Sequence, residues 1–245
     1  MTTANTGGRA TRSPAFLIGL TLIALILFSG FSALGIWQVQ RLAWKRDLIA
    51  RVDARVHAAP VSAPATATKD DEYRRVTLTG AFLHDKAALT QAVTVRGPGF
   101  WLMTPLRRAD GGITFINRGF VPDRKARYDR PTGQVQVTGL LRLTEPCGGF
   151  LRSNDPAGDR WHSRDVAAIA KARGLDRVEQ SYFIDAGAAP SPTGPSSTGL
   201  PVGGLTVIAF PNNHLQYAIT WFVLAAMTVG AYILVMRQTG KDRRG

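Results

Sequence analysis

Two long uncharged runs, Ala15 to Ile36 and Leu215 to Met236, bracket a middle region whose apolar positions recur on a much shorter period. Each run holds twenty-two residues, and roughly twenty, rising 1.5 Å apiece, cross a bilayer core. Both therefore predict transmembrane helices. For the first, a cleaved signal peptide is the competing reading, with Ser29, Gly30 and Ser32 as small residues of the cleavage-site kind. The apolar part of a signal is usually about 7–15 residues, which favours a retained helix over 15–36. Nothing from Trp37 to Val56 breaks a helix, so a juxtamembrane helix is expected over 37–57. Pro211-Asn212-Asn213 stops the preceding segment and caps the second membrane helix, expected over 211–236.

Between these helices the pattern changes. His57 to Lys69 is rich in Pro, Ala and Thr, and 58–69 reads as a linker on which the following domain can swing. Arg75 to Phe82 alternates apolar and polar, Ala87 to Val95 less cleanly, Phe100 to Arg107 is aromatic-rich, and Gln134 to Leu143 alternates again. Asp110-Gly111-Gly112 predicts a hairpin turn into a strand over Ile113 to Phe120. Arg164 to Arg173 has helical spacing and stops at Gly174. Strands are expected at Ser181 to Asp185 and at Leu205 to Phe210, separated by a Gly/Pro/Ser loop over 186–204. The fold class implied is a membrane-anchored α+β protein: two transmembrane helices flanking an antiparallel β-rich extracytoplasmic domain, 70–210, with one short helix.

Charge orients this arrangement. The net charge is +13, and more than half of the excess lies outside the middle domain. Arg237, Lys241, Arg243 and Arg244 follow the second helix at once, whereas Val178 to Leu215 has no Lys or Arg. That asymmetry places the 237–245 tail in the cytoplasm. Two spans then put the basic, polar residues 1–14 inside too and the domain outside. Cations spread along the membrane flanks suit anionic lipid headgroups, and nucleic acid is not an expected partner.

Signatures of catalysis are missing: there is no G-x-S-x-G, Walker loop, G-x-G-x-x-G or H-E-x-x-H, so an enzyme is not expected. Cys147 is the single cysteine, which rules out a disulfide or C-x-x-C site within the chain. His57, His84 and His162 read as surface or hydrogen-bonded histidines. His214 differs, because it stands in the first turn of an apolar helix, where the positive helix end disfavours imidazolium. Tyr217 and Trp221 follow at three and seven residues, the spacing of one helical face. On the first helix Trp37, Arg41 and Trp44 share a face, with Gln38 and Lys45 beside it. An aromatic belt with snorkelling cations accounts for these residues without a ligand; a flat apolar group lying near His214, with a carboxylate on Arg41, is the alternative. Asn117-Arg118-Gly119-Phe120-Val121-Pro122 ends a strand, its Gly permitting positive φ and its Pro stopping the ladder.

Three stretches resemble the surfeit-locus assembly factors of cytochrome c oxidase. They are Gly35-x-Trp37-Gln38-x-x-Arg41-x-x-Trp44-Lys45, Asn117 to Pro122, and Asn213-His214-Leu215-Gln216-Tyr217-Ala218-Ile219-Thr220-Trp221-Phe222. Family members often carry Trp where this chain has Phe120, and the Gly/Pro/Ser insert near 187–199 looks peculiar to this chain. The resemblance implies a bacterial inner-membrane protein that binds haem a and hands it to the oxidase catalytic subunit, with the haem a synthesis enzyme as a further partner. It makes His214 the axial iron ligand. The farnesyl tail of haem a suits lipid, its ring suits Tyr217, Trp221 and Trp37, and its propionates suit Arg41. A cofactor-free scaffold holding the catalytic subunit is the alternative reading.

Overall fold

The computed structural model describes residues 13–149, 152–188, 199–208 and 210–242. Most of the 1–14 tail, the centre of the 187–199 insert, and Arg243 and Arg244 lie outside the described residues. The chain forms two compact units, one from the residues up to Ala50 together with those from Ala209 onward, the other Arg51–Ile208.

The first unit is a pair of antiparallel helices, α1 (Pro14–His57, which continues into the second unit) and α3 (His214–Asp242). Both are long and apolar enough to span a membrane, with mean hydropathy of 2.4 and 2.1 over their most apolar stretches. The Thr21 and Tyr232 hydroxyls meet at 3.0 Å, and the Phe31 and Trp221 rings stack at 5.8 Å. Buried positions on α1 here are Gly35, Gln38 and Leu42, at helical spacing; Ala218 and Ala225 answer from α3. Small residues let the two backbones approach. A Cβ on Gly35 would come within 2.7 Å of the Phe222 ring. The outward faces are apolar, with Ile26 at 70% and Met227 at 63% exposure, a surface suited to lipid.

The second unit is built on seven strands: β1 (Val61–Ser62), β2 (Arg75–Phe82), β3 (Ala88–Thr94), β4 (Gly97–Arg107), β5 (Ile113–Val121), β6 (Val135–Leu143) and β7 (Tyr182–Ala186). Their order is β1-β2-β6-β7-β5-β4-β3, and β2 also pairs with β4 through Ala81 and Phe82. The sheet thus curls until β2, β6, β7, β5 and β4 close a ring. The purely antiparallel sheet expected from sequence is corrected to a mixed one. β7 returns after a long excursion, inserts between β6 and β5, and so runs antiparallel to one and parallel to the other.

Alternation along each strand gives the ring two apolar faces. One face gathers Val76, Leu106, Ile116, Leu141, Tyr182 and Ile184, which come from all five ring strands. The other carries Met103, Phe115 and Phe183 against Trp161 and the buried side of α2 (Val166–Ala172). Each fully buried large side chain contributes roughly 1.5–3 kcal/mol. α2 is shorter than its sequence pattern because Asp165 serves as its N-cap, accepting from the Ala168 amide at 3.0 Å. Gly174, at φ +62°, follows its end.

Two further expectations are corrected. The 58–69 segment is not a free tether: β1 pairs with β2, the Ala67 amide donates to Ser181 Oγ at 2.9 Å, and the Tyr182 hydroxyl donates to the Pro64 carbonyl at 2.7 Å. Its prolines favour extended backbone and its alanines are small enough to pack on the core. Residues 205–208 form no strand. Gly204 takes φ +72°, and the segment is held to the sheet by a bridge between Val202 and Phe120, by the Gly204 amide on the Ala186 carbonyl at 3.1 Å and by the Thr206 hydroxyl on Asp185, without a strand of its own.

Candidate functional site

The site begins where α3 begins. Pro211 ends the incoming segment, Asn213 offers its carbonyl to the Tyr217 amide at 3.2 Å, and His214 opens the helix. Its Nδ1 lies 2.8 Å from Oε1 of Gln38, a buried residue of α1. An amide oxygen can only accept, so Nδ1 is the donor in this bond and Nε2 is the ring nitrogen that it leaves over. A hydrogen bond to one ring nitrogen that orients the other is the arrangement metal-binding imidazoles use.

The other residues singled out by sequence are placed differently. Trp221 lies on the helix seam, stacked on Phe31. Tyr217 and Trp37 sit on its flanks, 55% and 53% exposed. The Arg41 guanidinium lies 4.0 Å above the Trp44 ring. Among the described residues, no hydrogen bond, ion pair or ring contact joins Trp37, Arg41 or Tyr217 to His214. The seam of α3 runs through His214, Ala218, Trp221 and Ala225, so three residues of spacing carry Tyr217 off it. Gln38, the hydrogen-bond partner of His214, is the residue that sequence reasoning left at the margin. Its signal was a lone amide three residues after a glycine in the same apolar seam. Lys45 reaches to 5.7 Å from the Phe210 ring near the same helix ends.

The remaining histidines are engaged elsewhere. His84 Nε2 meets the Pro131 carbonyl at 2.9 Å, His162 Nδ1 meets Gln91 at 2.8 Å, and His57 bonds one turn back to Asp53. Among the described residues no three His, Cys, Asp or Glu side chains gather as a metal site.

In the second unit, Asn117 to Phe120 forms a structural knot. Buried Asp185 accepts from Asn117 Nδ2, from Arg142 and Arg164, and from the Thr206 hydroxyl at 2.9 Å. Gly119 has φ +127°, and a Cβ there would lie 2.2 Å from the Val202 carbonyl oxygen. Burial alone would raise the Glu145 carboxyl, but hydrogen bonds and charge from Arg164 outweigh it and hold Glu145 below its ordinary value.

A family model described as SURF1 family matches residues 25–226. The chain is 36% identical to Surfeit locus protein 1 of Homo sapiens over 231 residues, covering 84% of this chain and 74% of that protein. It is 36% identical to the Mus musculus protein of the same name over 249 residues, covering 92% and 78%. The chain belongs to the SURF1 family. A SURF1-like protein of Monosiga brevicollis is 35% identical over 231 residues, covering 86% and 85%. The SURF1-family match starts within α1 and ends within α3, so it takes in Gln38, His214 and the Asn117 to Phe120 segment.

Proposed function

We propose that the protein is a membrane-bound assembly factor for cytochrome c oxidase that carries haem a as cargo, with His214 as the iron ligand. Membership of the SURF1 family indicates the assembly role. The observation that carries the haem reading is the Gln38 to His214 hydrogen bond, which leaves Nε2 free at the start of a helix whose surroundings are apolar. Trp37, Tyr217 and Trp221 offer ring faces and lipid-facing surface to a flat, tailed cargo, and Arg41 offers a cation for its propionates. Arg237 and Lys241 beyond the apolar part of α3 favour a cytoplasmic C-terminus, hence an outer-face site in a bacterial inner membrane with the β domain outside. The cargo's recipient is the catalytic subunit of the oxidase and its source the haem a synthesis enzyme.

A cofactor-free scaffold that holds the catalytic subunit is the second reading. It is favoured by the lack, among the described residues, of any hydrogen bond, ion pair or ring contact joining Trp37, Arg41 or Tyr217 to His214. Colour separates the two. Protein purified from cells that make haem a should carry a haem spectrum, and His214→Ala should lose most of it at normal membrane levels. A His214→Ala protein as coloured as the parent would remove the haem reading and leave the scaffold.

A further inference from the structure

A cleft of about 1660 Å³ opens on the second unit, where one face of the ring reaches the surface at Phe82, Val135, Val137 and Ala186. Six cations line it, Arg75, Arg118, Arg124, Lys125, Arg127 and Arg130, against one carboxylate, Asp129. Among the described residues none of the six forms an ion pair with a carboxylate. On the rest of the same unit Arg142, Arg160, Arg164 and Arg173 each have one. Arg96, Arg107 and Lys171 elsewhere on the unit also lack an ion pair among the described residues, but the cleft gathers six such cations around one concavity.

Aromatic rings hold the cations in place. Arg118 lies 4.8 Å from the Phe82 ring, Arg124 lies 5.0 Å from Phe100, and Tyr128 takes Arg130 at 5.1 Å and Arg118 at 6.0 Å. Arg118 gives Nη2 to the Asp129 carbonyl at 2.7 Å, while its Nη1 is buried with no partner. A desolvated guanidinium with an unused donor is an anion's natural place.

We propose that this cleft docks an acidic, extended segment of a partner protein. Carboxylates spaced along a peptide can meet cations spread over both the Arg124 to Arg130 connection and the Arg75 end of β2, and guanidinium forks bind carboxylates in bidentate fashion. Pro201 and Val202 supply apolar ground between the charges. A bilayer surface would be drawn to the same cations, but a flat sheet of headgroups cannot enter a concavity; a peptide can. The cleft lies wholly within the second unit and shares none of the residues proposed to hold haem, so it stands or falls apart from the haem reading.

The test uses the full chain in neutral detergent and fluorescein-labelled hexaglutamate, read by anisotropy. The parent should bind, and binding should fade as salt shortens the Debye length toward about 3 Å at 1 M. Lys125→Gln/Arg127→Gln/Arg130→Gln should weaken it about tenfold or more. A control with the same charge loss elsewhere, Arg96→Gln/Arg107→Gln/Lys171→Gln, should bind as the parent does. All six residues are exposed, so folding is not at stake. No binding by the parent, or equal loss in both triple variants, overturns the proposal. A parent that ignores hexaglutamate but binds phosphatidylglycerol-doped micelles through Lys125, Arg127 and Arg130 makes the cleft a headgroup site, which also overturns it.

Discussion

Asn117 and Asp185 are register partners across the parallel pairing of β5 and β7, and the Asn117 side-chain amide donates to the Asp185 carboxylate at 2.8 Å. The bond links the most buried strand to the last one added. Asn117→Ala leaves the carboxylate its arginine and threonine donors, so a loss of about 1–3 kcal/mol is expected. Asp185→Ala takes one partner each from Arg142 and Arg164, 15% and 13% exposed, which keep Glu72 and Glu145, and leaves the Asn117 amide and Thr206 hydroxyl without their acceptor, so it should lose more than Asn117→Ala, about 3 kcal/mol or more. Urea unfolding of the full chain in neutral detergent, followed by tryptophan fluorescence, measures both. Equal losses would show that Asn117 does more than complete the carboxylate's shell.

Gly119 makes a separate prediction. Its positive φ strains any L side chain by about 1–3 kcal/mol, and the Val202 carbonyl blocks the space. Gly119→Ala should cost at least that much and release the Phe120 to Val202 bridge, detected as faster hydrogen exchange of the Val202 amide.

Acid should weaken the domain through Glu145. Its folded-state value lies below the ordinary 4.5, so its contribution is present above that value and disappears as pH falls through the lowered one. Glu145→Gln should therefore flatten the upper part of the acid limb in a plot of stability against pH. Asp71, Asp110 and Asp155, held below 3.8 chiefly by the Thr68, Gly112 and Gly158 amides, preserve the lower part. An unchanged slope between about pH 5 and 4 in Glu145→Gln would contradict the assignment.

Much of this fold is legible in the sequence because its signals are local. Uncharged runs mark α1 and α3, alternation marks β2 and β6, and Gly174 marks the end of α2. The place of β7 is not, since the order of strands in a sheet depends on contacts far apart in the chain. β1 is too short to show a period and hides among prolines. At the site, His214 stands out as the ionisable residue of an apolar helix. Gln38 does not, because periodicity tells which residues share a face and not what that face meets. Tyr217 lies about 60° around the helix from His214, enough to move it from seam to flank.

The close approach at Gly35 can be tested by compensation. Gly35→Ala should push on the Phe222 ring, lengthen the Gln38 to His214 contact and reduce haem retention several-fold while leaving His214 intact. Phe222→Leu in the same chain should restore part of it. If Gly35→Ala retains haem fully, the helix spacing is not what positions the imidazole.

Topology has its own readout. A phosphatase fused at exposed Ala157 should be active and one fused after Gly245 inactive, as the basic end of α3 requires. The reverse pattern would move His214 to the cytoplasmic face and end the outer-face site.

The position of β7 bears on how the protein is made. The strand at the centre of the sheet is the last to leave the ribosome, and until Ala186 has emerged, β6 and β5 each present a bare edge. A nascent chain is thus exposed to pairing with its neighbours from the time Leu143 is made until Ala186 is. A nonsense or frameshift lesion anywhere between Leu143 and Tyr182 leaves no smaller working domain. It yields an opened ring, still joined through β2 and β4, with two adhesive margins, a product for proteases rather than for the membrane.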